Sequence, residues 1–391
     1  MSQTKHSPEK QWVGKQWVGT WTAAPAPAEG VAFNNITLRM NARVSLGGKV
    51  IRVRLSNAHG TRPVVVGAAH VGLRAAGPAI IPATNRRLTF GGDVTATIAT
   101  GALLISDPVE LDVAALADVA VTIHLPEDLP ASFGITGRYA RQTNYISPLG
   151  NFGAEAVMPV GRITDDWYLV SGIDVLAEPG TGGIVALGDS LTDGNIATHD
   201  AFASWPSQLA RRLAARDGGR ALGVMNQGLG GNRILYDIRG DSGLRRFDRD
   251  VLAAPGVTHV IVVLGTNDLR NRWRKPEEEA TAPAMIAGLK QMAIRAHARG
   301  IRIFGGTIPP FENETFLPGA WNPAREAVRQ AVNAWVREGD AFDAVIDFDA
   351  GLRDPEHPTS MLPLYDCGDH LHPSDIGYHR MGDIIDLSLF D

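Results

Sequence analysis

Two rhythms of hydrophobic and polar positions follow one another along this chain. Over residues 17–175, short segments alternate apolar and polar positions or gather β-branched residues, then end in Gly, Pro, Asn or Asp. "ITLRMNARVSL", "KVIRVRLSNAHG", "PVVVGAAHVGL", "DVTATIAT", "PVELDV" and "DVAVTIHL" are the clearest of them. A period of two fits a half-buried strand, and many short strands at this spacing predict an all-β sandwich or jelly roll. "LAEPGTGG" (176–183) reads as a linker. It divides the chain into an amino-terminal β-sandwich domain, 1–178, and a second domain, 179–391.

Beyond the linker, apolar runs alternate with amphipathic segments. "GIVAL", "ALGVMN", "THVIVVLG", "IRIFGGTI" and "FDAVIDF" read as five buried strands. The spacing predicts helices near 205–216, 244–253, 282–299, 323–338 and 374–387. Repeated βαβ units of this kind form a parallel sheet covered on both faces. Such an α/β sheet binds ligands outside the carboxyl ends of its strands, which directs attention to the loops that follow them.

Composition narrows the class without naming a chemistry. The 391 residues are 44% hydrophobic and 20% charged, as in ordinary globular proteins, and form a sizeable core. A net charge of −5 gives no reason to expect nucleic acid or an anionic membrane as partner. No apolar run is long enough to span a bilayer. The single cysteine, Cys367, excludes an intramolecular disulfide. The polar start "MSQTKHSPEKQWVGKQWVG" lacks a signal-peptide core, so the chain as written reads as cytoplasmic, and as secreted if a signal was removed.

Two "GDS" tripeptides occur, at 188–190 and 240–242. Ser190 follows the apolar run "IVAL", where a nucleophile belongs in a parallel α/β sheet. Ser242 lies between "YDIR" and "GLRRF", with no buried strand before it. The G-x-S-x-G elbow is absent, because Thr192 stands at its second glycine. A serine needs a base, and the base needs an orienting group. "CGDHLHPSDIGY" offers Asp369 and His372, three apart. Taken alone, Asp-x-x-His is more often a turn cap beside an incidental histidine, and a metal site of Asp369, His370 and His372 is a further alternative. Donors for an oxyanion are available after the second and third strands: a glycine at 231 in "NQGLGG" and the Asn267 amide in "GTND".

Together these blocks resemble the SGNH (GDSL) hydrolase family of serine esterases and lipases. "GDSLTDG", "NQGLGG", "GTND" and "DHLH" match its four motifs in order over residues 182–391. The resemblance implies a flavodoxin-like catalytic domain with a five-stranded parallel sheet. It implies Ser190 as nucleophile, His372 as general base and acid, and Asp369 as orienting carboxylate. The Ser190 and Gly231 backbone N–H groups and the Asn267 side chain would form the oxyanion hole. Gly231 is preferred to Gly230 because it lies five residues after Asn226, the family spacing. No metal or organic cofactor is implied. The first half, with "VIRVRLSNAHGTRPVVVGAAHV" (50–71), resembles the β-sandwich of a bacterial subgroup. Hydrolysis of small acyl or acetyl esters, acetylated saccharides among them, is the expected function. An acyltransferase, or a glycan-binding protein with a silent hydrolase domain, is the alternative.

Other features carry two readings each. Arg270, Arg272 and Arg274 either attract an anionic substrate or form a solvated face beside Glu277, Glu278 and Glu279. Trp273, Phe311, Phe316 and Trp321 either line a pocket or pin long loops. Trp12, Trp17 and Trp21 are better read as sandwich core than as a sugar platform. Cys367 has no base placed for it and is not read as a nucleophile.

Overall fold

A computed structural model describes residues 14–27, 32–130, 135–137, 141–271 and 275–391. Trp12, Arg272, Trp273 and Arg274 lie outside them. Among the described residues, the amino-terminal part forms two main antiparallel sheets. One runs in the order Gln16–Thr22, Val170–Ala177, Gly48–Ser56, Val109–Val113, with Leu103–Ile105 also pairing Gly48–Ser56. The other runs Arg162–Thr164, Asn144–Leu149, Ile36–Arg43, Asp118–Leu125, Ala68–Leu73, Arg86–Leu88. Side chains of both sheets, such as Leu38, Val121, Val53 and Ile173, meet in one buried cluster, the arrangement of a sandwich. Trp21 belongs to this core, edge-on to Trp167 at 4.9 Å, and Arg52 covers the Trp17 ring. Both tryptophans are packing elements.

The carboxy-terminal part is built on a parallel sheet. Its strands are β1 (Gly182–Gly188), β2 (Leu222–Gly228), β3 (Val257–Val263), β4 (Arg302–Gly306) and β5 (Ala344–Ile346), in the order 2-1-3-4-5. That is the flavodoxin-like order, with its switch point between β1 and β3. One buried cluster lies on each face, with Val185, Leu187 and Val260 in the first and Ile184, Ala186 and Ile261 in the second. This alternation along β1 and β3 is what a strand buried on both sides requires.

Several element bounds differ from the sequence reading. The linker shrinks to four residues, because the strand Val170–Ala177 continues into it and β1 begins at Gly182. That strand is tied down by Asp174, fully buried between Arg52 (2.9 Å) and Arg54 (3.0 Å). The helix near 244–253 divides into an α-helical turn, Gly243–Phe247, and a π-helical one, Asp248–Leu252. The last helix covers Asp375–Asp383, because Asp386 caps a separate turn by accepting from the Ser388 N–H. Among the described residues, no helix is long and apolar enough to cross a membrane.

The edge strand β2 is covered by the amino-terminal part. The Val224 N–H donates to Ser45 Oγ (2.7 Å), and Thr22 Oγ1 donates to the Asn226 carbonyl (2.7 Å). Backbone groups that an open edge would leave exposed are thereby satisfied.

The loops after β1 and β2 touch through glycine. Helix Ser190–Asp193 follows β1 directly, and its backbone rests on Gly228, the last residue of β2. A Cβ on Gly228 would run into the Asp193 backbone nitrogen, and one on Gly188 into the Thr192 side chain. Neither neighbour has room to retreat, since the turn is buried and hydrogen-bonded. Gly228→Ala is therefore expected to destabilise the fold by about 1–3 kcal/mol, read as a lower urea midpoint at unchanged m-value.

Candidate active site

The short helix Ser190–Asp193 answers what kind of serine each "GDS" holds. Asp189 is the N-cap, its Oδ1 accepting the Leu191 N–H at 3.0 Å, so Ser190 is relieved of capping duty and opens the helix. Ser242, by contrast, is itself the cap of Gly243–Phe247, accepting the Arg245 N–H. Ser190 Oγ lies 2.9 Å from His372 Nε2. His372 Nδ1 lies 2.8 Å from Asp369 Oδ2. With the carboxylate accepting from Nδ1, the lone pair is on Nε2, and the serine hydroxyl donates to it.

Asp369 also caps its turn. Its Oδ1 accepts the N–H groups of Leu371 (2.8 Å) and His372 (2.7 Å), so one carboxylate shapes the loop and aims the ring. Burial opposes its ionisation, but the His372 ring and those N–H groups outweigh burial and hold its pKa down to about 2. The alternative metal trio does not converge. His370 turns away with φ +60° and pairs through Nδ1 with Asp366 at 2.6 Å. This block follows a short helix, Phe348–Leu352, rather than β5 directly.

Gly231 and Asn267 line the same cavity as Ser190 and His372, a space of about 350 Å³. Gly231 holds φ +82°, a conformation that favours glycine. The Gly230 N–H is engaged by the Asp193 carboxylate, which leaves Gly231 as the glycine facing the cavity. The Asn267 amide is held at both ends: Nδ2 donates to Asp189 Oδ2 (3.0 Å), and Oδ1 accepts from Arg270 Nη1 (3.1 Å). A guanidinium only donates and a carboxylate accepts, so the amide has one sensible orientation, with its second N–H left for the cavity.

Three supporting groups escaped the sequence reading. Burial pushes the Asp189 carboxyl up to about 6, against the Leu191 and Asn267 bonds that favour its charge. Arg246, buried, donates to the Gly188 carbonyl (2.9 Å), the Gln227 carbonyl (2.9 Å), Asn232 Oδ1 (3.0 Å) and Asp250 (3.1 Å). It thus fastens the carboxyl ends of β1 and β2 to the glycine loop. Glu314 takes Arg270 in a buried ion pair at 3.1 Å and accepts the N–H groups of Phe316 and Leu317. Only long-range pairing reveals these roles; the local sequence around Glu314, "FENETF", carries no signal.

The pair with Glu314 replaces both expectations for Arg270, which is neither solvated nor an open anion receptor. Glu278 and Glu279 instead serve Arg233 and Arg325. Phe316 stands edge-on to His372, ring centroids 5.5 Å apart, and lines the cavity with Ile196, Ile238, Leu317 and Leu371. Phe311 is buried in the core and Trp321 packs against it, so of these three aromatics Phe316 is the one that lines this cavity.

Fold and geometry together define a flavodoxin-like α/β unit that gathers a Ser–His–Asp constellation on its strand-end loops. Residues 186–380 match the GDSL-like lipase/acylhydrolase family, and this part of the chain belongs to it. The family's chemistry is hydrolysis of esters. No curated protein matches the chain. Among solved structures, it is similar to a GDSL-like lipase from Bacteroides thetaiotaomicron, at 18% identity and TM-score 0.41, covering 53% of this chain and 87% of that one. It is also similar to a catalytic mutant of an acetylxylan esterase from Geobacillus stearothermophilus, at 20% identity and TM-score 0.40, covering 52% and 92%.

Cys367 lies two residues before Asp369, half-buried, and burial pushes its thiol up to about 12. Since burial disfavours the thiolate, the thiol stays protonated until the pH approaches that value. Native protein treated with iodoacetamide at pH 8 is expected to stay almost unlabelled at Cys367 by mass spectrometry, while urea-unfolded protein labels fully.

Proposed function

We propose that the protein hydrolyses carboxylic esters through an acyl-enzyme on Ser190. The observation that carries this reading is the unbroken relay from Ser190 Oγ to His372 Nε2 and from His372 Nδ1 to Asp369. His372 takes the hydroxyl proton as Oγ bonds to the ester carbonyl carbon. The resulting oxyanion is received by the N–H groups of Ser190 and Gly231 and by the Asn267 amide. His372 then passes its proton to the departing alcohol as the carbonyl–oxygen bond breaks. Water repeats the sequence on the acyl-enzyme: His372 removes its proton, the acid leaves, and Ser190 recovers its hydrogen. Asp369 stays ionised throughout, because the His372 ring and the two N–H groups it accepts hold its pKa at about 2.

Small and acetyl esters, including acetylated saccharides, fit a cavity of about 350 Å³ with a mixed polar and apolar lining. A silent domain would have no need for a buried Asp189–Asn267–Arg270–Glu314 network behind the cavity wall.

Two substitutions test the reading. Ser190→Ala is expected to abolish p-nitrophenyl acetate hydrolysis and fluorophosphonate labelling while melting with the wild type; unchanged turnover would overturn it. Asn267→Ala is expected to lower kcat by about 10²–10³ with a smaller change in KM, measured by steady-state kinetics on the same ester.

A further inference from the structure

The wall of the Ser190 cavity is not built by the carboxy-terminal part alone. Arg141, from the segment just before the strand Asn144–Leu149, lines the cavity together with Ser190, Asn267 and His372. Its position is fixed with some effort. The Arg141 backbone holds φ +51°, sparsely populated for a residue with a Cβ, and its carbonyl accepts the Asp200 N–H at 2.8 Å. Its Nε donates to the Ala197 carbonyl at 2.7 Å. Beside it, Thr143 binds the Asp200 carboxylate through both its N–H (2.7 Å) and its hydroxyl (2.5 Å). The 141–143 segment is thereby sewn to 197–200, in the loop following the Ser190 helix.

Such anchoring leaves the far end of the guanidinium available. Among the described residues, no carboxylate lies within ion-pair distance of Arg141. The cavity lining contains three arginines, Arg141, Arg239 and Arg270, and no Asp or Glu. Arg270 is neutralised by Glu314, whereas among the described residues Arg141 has no such counterweight. A fixed cation that shares a partly enclosed space with the apolar Phe316, Leu317 and Ile238 suits a ligand that is anionic at one end and apolar at the other.

Resting on the esterase reading above, we propose that Arg141 is a specificity residue that selects esters bearing an anionic oxygen group, such as a carboxylate, through its guanidinium fork. The amino-terminal part then supplies a piece of the substrate site as well as covering β2.

Two matched substrate pairs test this on the full chain. p-Nitrophenyl hemisuccinate against p-nitrophenyl butyrate places the anion on the acyl side. 4-Acetoxybenzoate against its methyl ester places it on the alcohol side. In at least one pair, kcat/KM for the anionic member is expected to exceed the neutral one, and that ratio to fall roughly tenfold or more in Arg141→Gln. Arg141→Lys should retain part of it, and high salt should weaken it. Absence of preference in both pairs, or a preference that survives Arg141→Gln, would overturn the proposal while leaving the esterase reading intact. If the wild type cleaves none of the four esters, the esterase reading itself fails. Thermal melts of both variants separate loss of selectivity from loss of fold.

Discussion

The site depends on how closely the Ser190 turn can approach the neighbouring strand. β1 and β2 are adjacent and parallel, with Gly188 opposite Gly228 at their carboxyl ends. Because both are glycine, the helix Ser190–Asp193 settles directly over the end of β2, and Asp193 reaches the Gly230 N–H. A side chain at either position would lift the turn and shift Ser190 relative to His372, which is carried by a loop at the other end of the chain. A displacement of about 1 Å is enough to spoil a serine–imidazole relay. Arg246 fixes the same junction by donating to the carbonyls of Gln227 and Gly188, the latter also accepting the Leu229 N–H. Interior packing and the chemistry of the site are therefore the same constraint viewed from two sides.

Carboxylates crowd this junction, and their surroundings assign them different states. Burial pushes Asp189 to about 6, Asp268 to about 7 and Asp193 well above its usual range, even though each accepts hydrogen bonds. Asp369 is only half-buried and has a histidine beside it, so it alone is held far below normal. The difference follows from competition between desolvation and partners: deep in the sheet desolvation wins, and at the rim the imidazole and two N–H groups win. One carboxylate is thus reserved to carry charge against His372. Asp268 spends its oxygens on the Ile234 and Leu235 N–H groups, shaping the glycine loop.

The parts of this arrangement legible in the sequence are those that strand-end logic makes local. Ser190, Gly231, Asn267 and the Asp369–His372 pair each lie in the connection that follows an apolar run or a short helix, and a parallel sheet brings such connections to one edge whatever their separation in the chain. The decoy Ser242 could be set aside because it has no strand before it, and in the structure it caps a helix. Helix bounds were legible where capping is conventional, as at Asn322 before Pro323–Glu338. They were lost where a π-helical turn or a second cap intervenes. Arg246, Glu314 and Arg141 were illegible for another reason: their meaning lies in partners far away in sequence, and nothing nearby distinguishes them from ordinary surface charges. Arg270 is the instructive case: its partner is not one of the glutamates nearby in sequence but Glu314, which the fold supplies.

The Arg270–Glu314 pair also bears on why a buried ion pair is retained here. Desolvating two charges costs several kcal/mol, and replacement by apolar residues is often neutral or better for stability. Stability alone therefore gives little reason for it. Geometry gives a better one. Arg270 must present a donor to Asn267 Oδ1 to keep the amide from flipping, and a lone buried guanidinium would be untenable. Glu314 neutralises that charge and, with its own oxygens, holds the Phe316 and Leu317 N–H groups. The Asn267 amide that lines the cavity beside Ser190 and the aromatic wall beside His372 are consequently set by a single carboxylate. A substitution at Glu314 would disturb both ends of the cavity at once, although its side chain touches neither Ser190 nor His372.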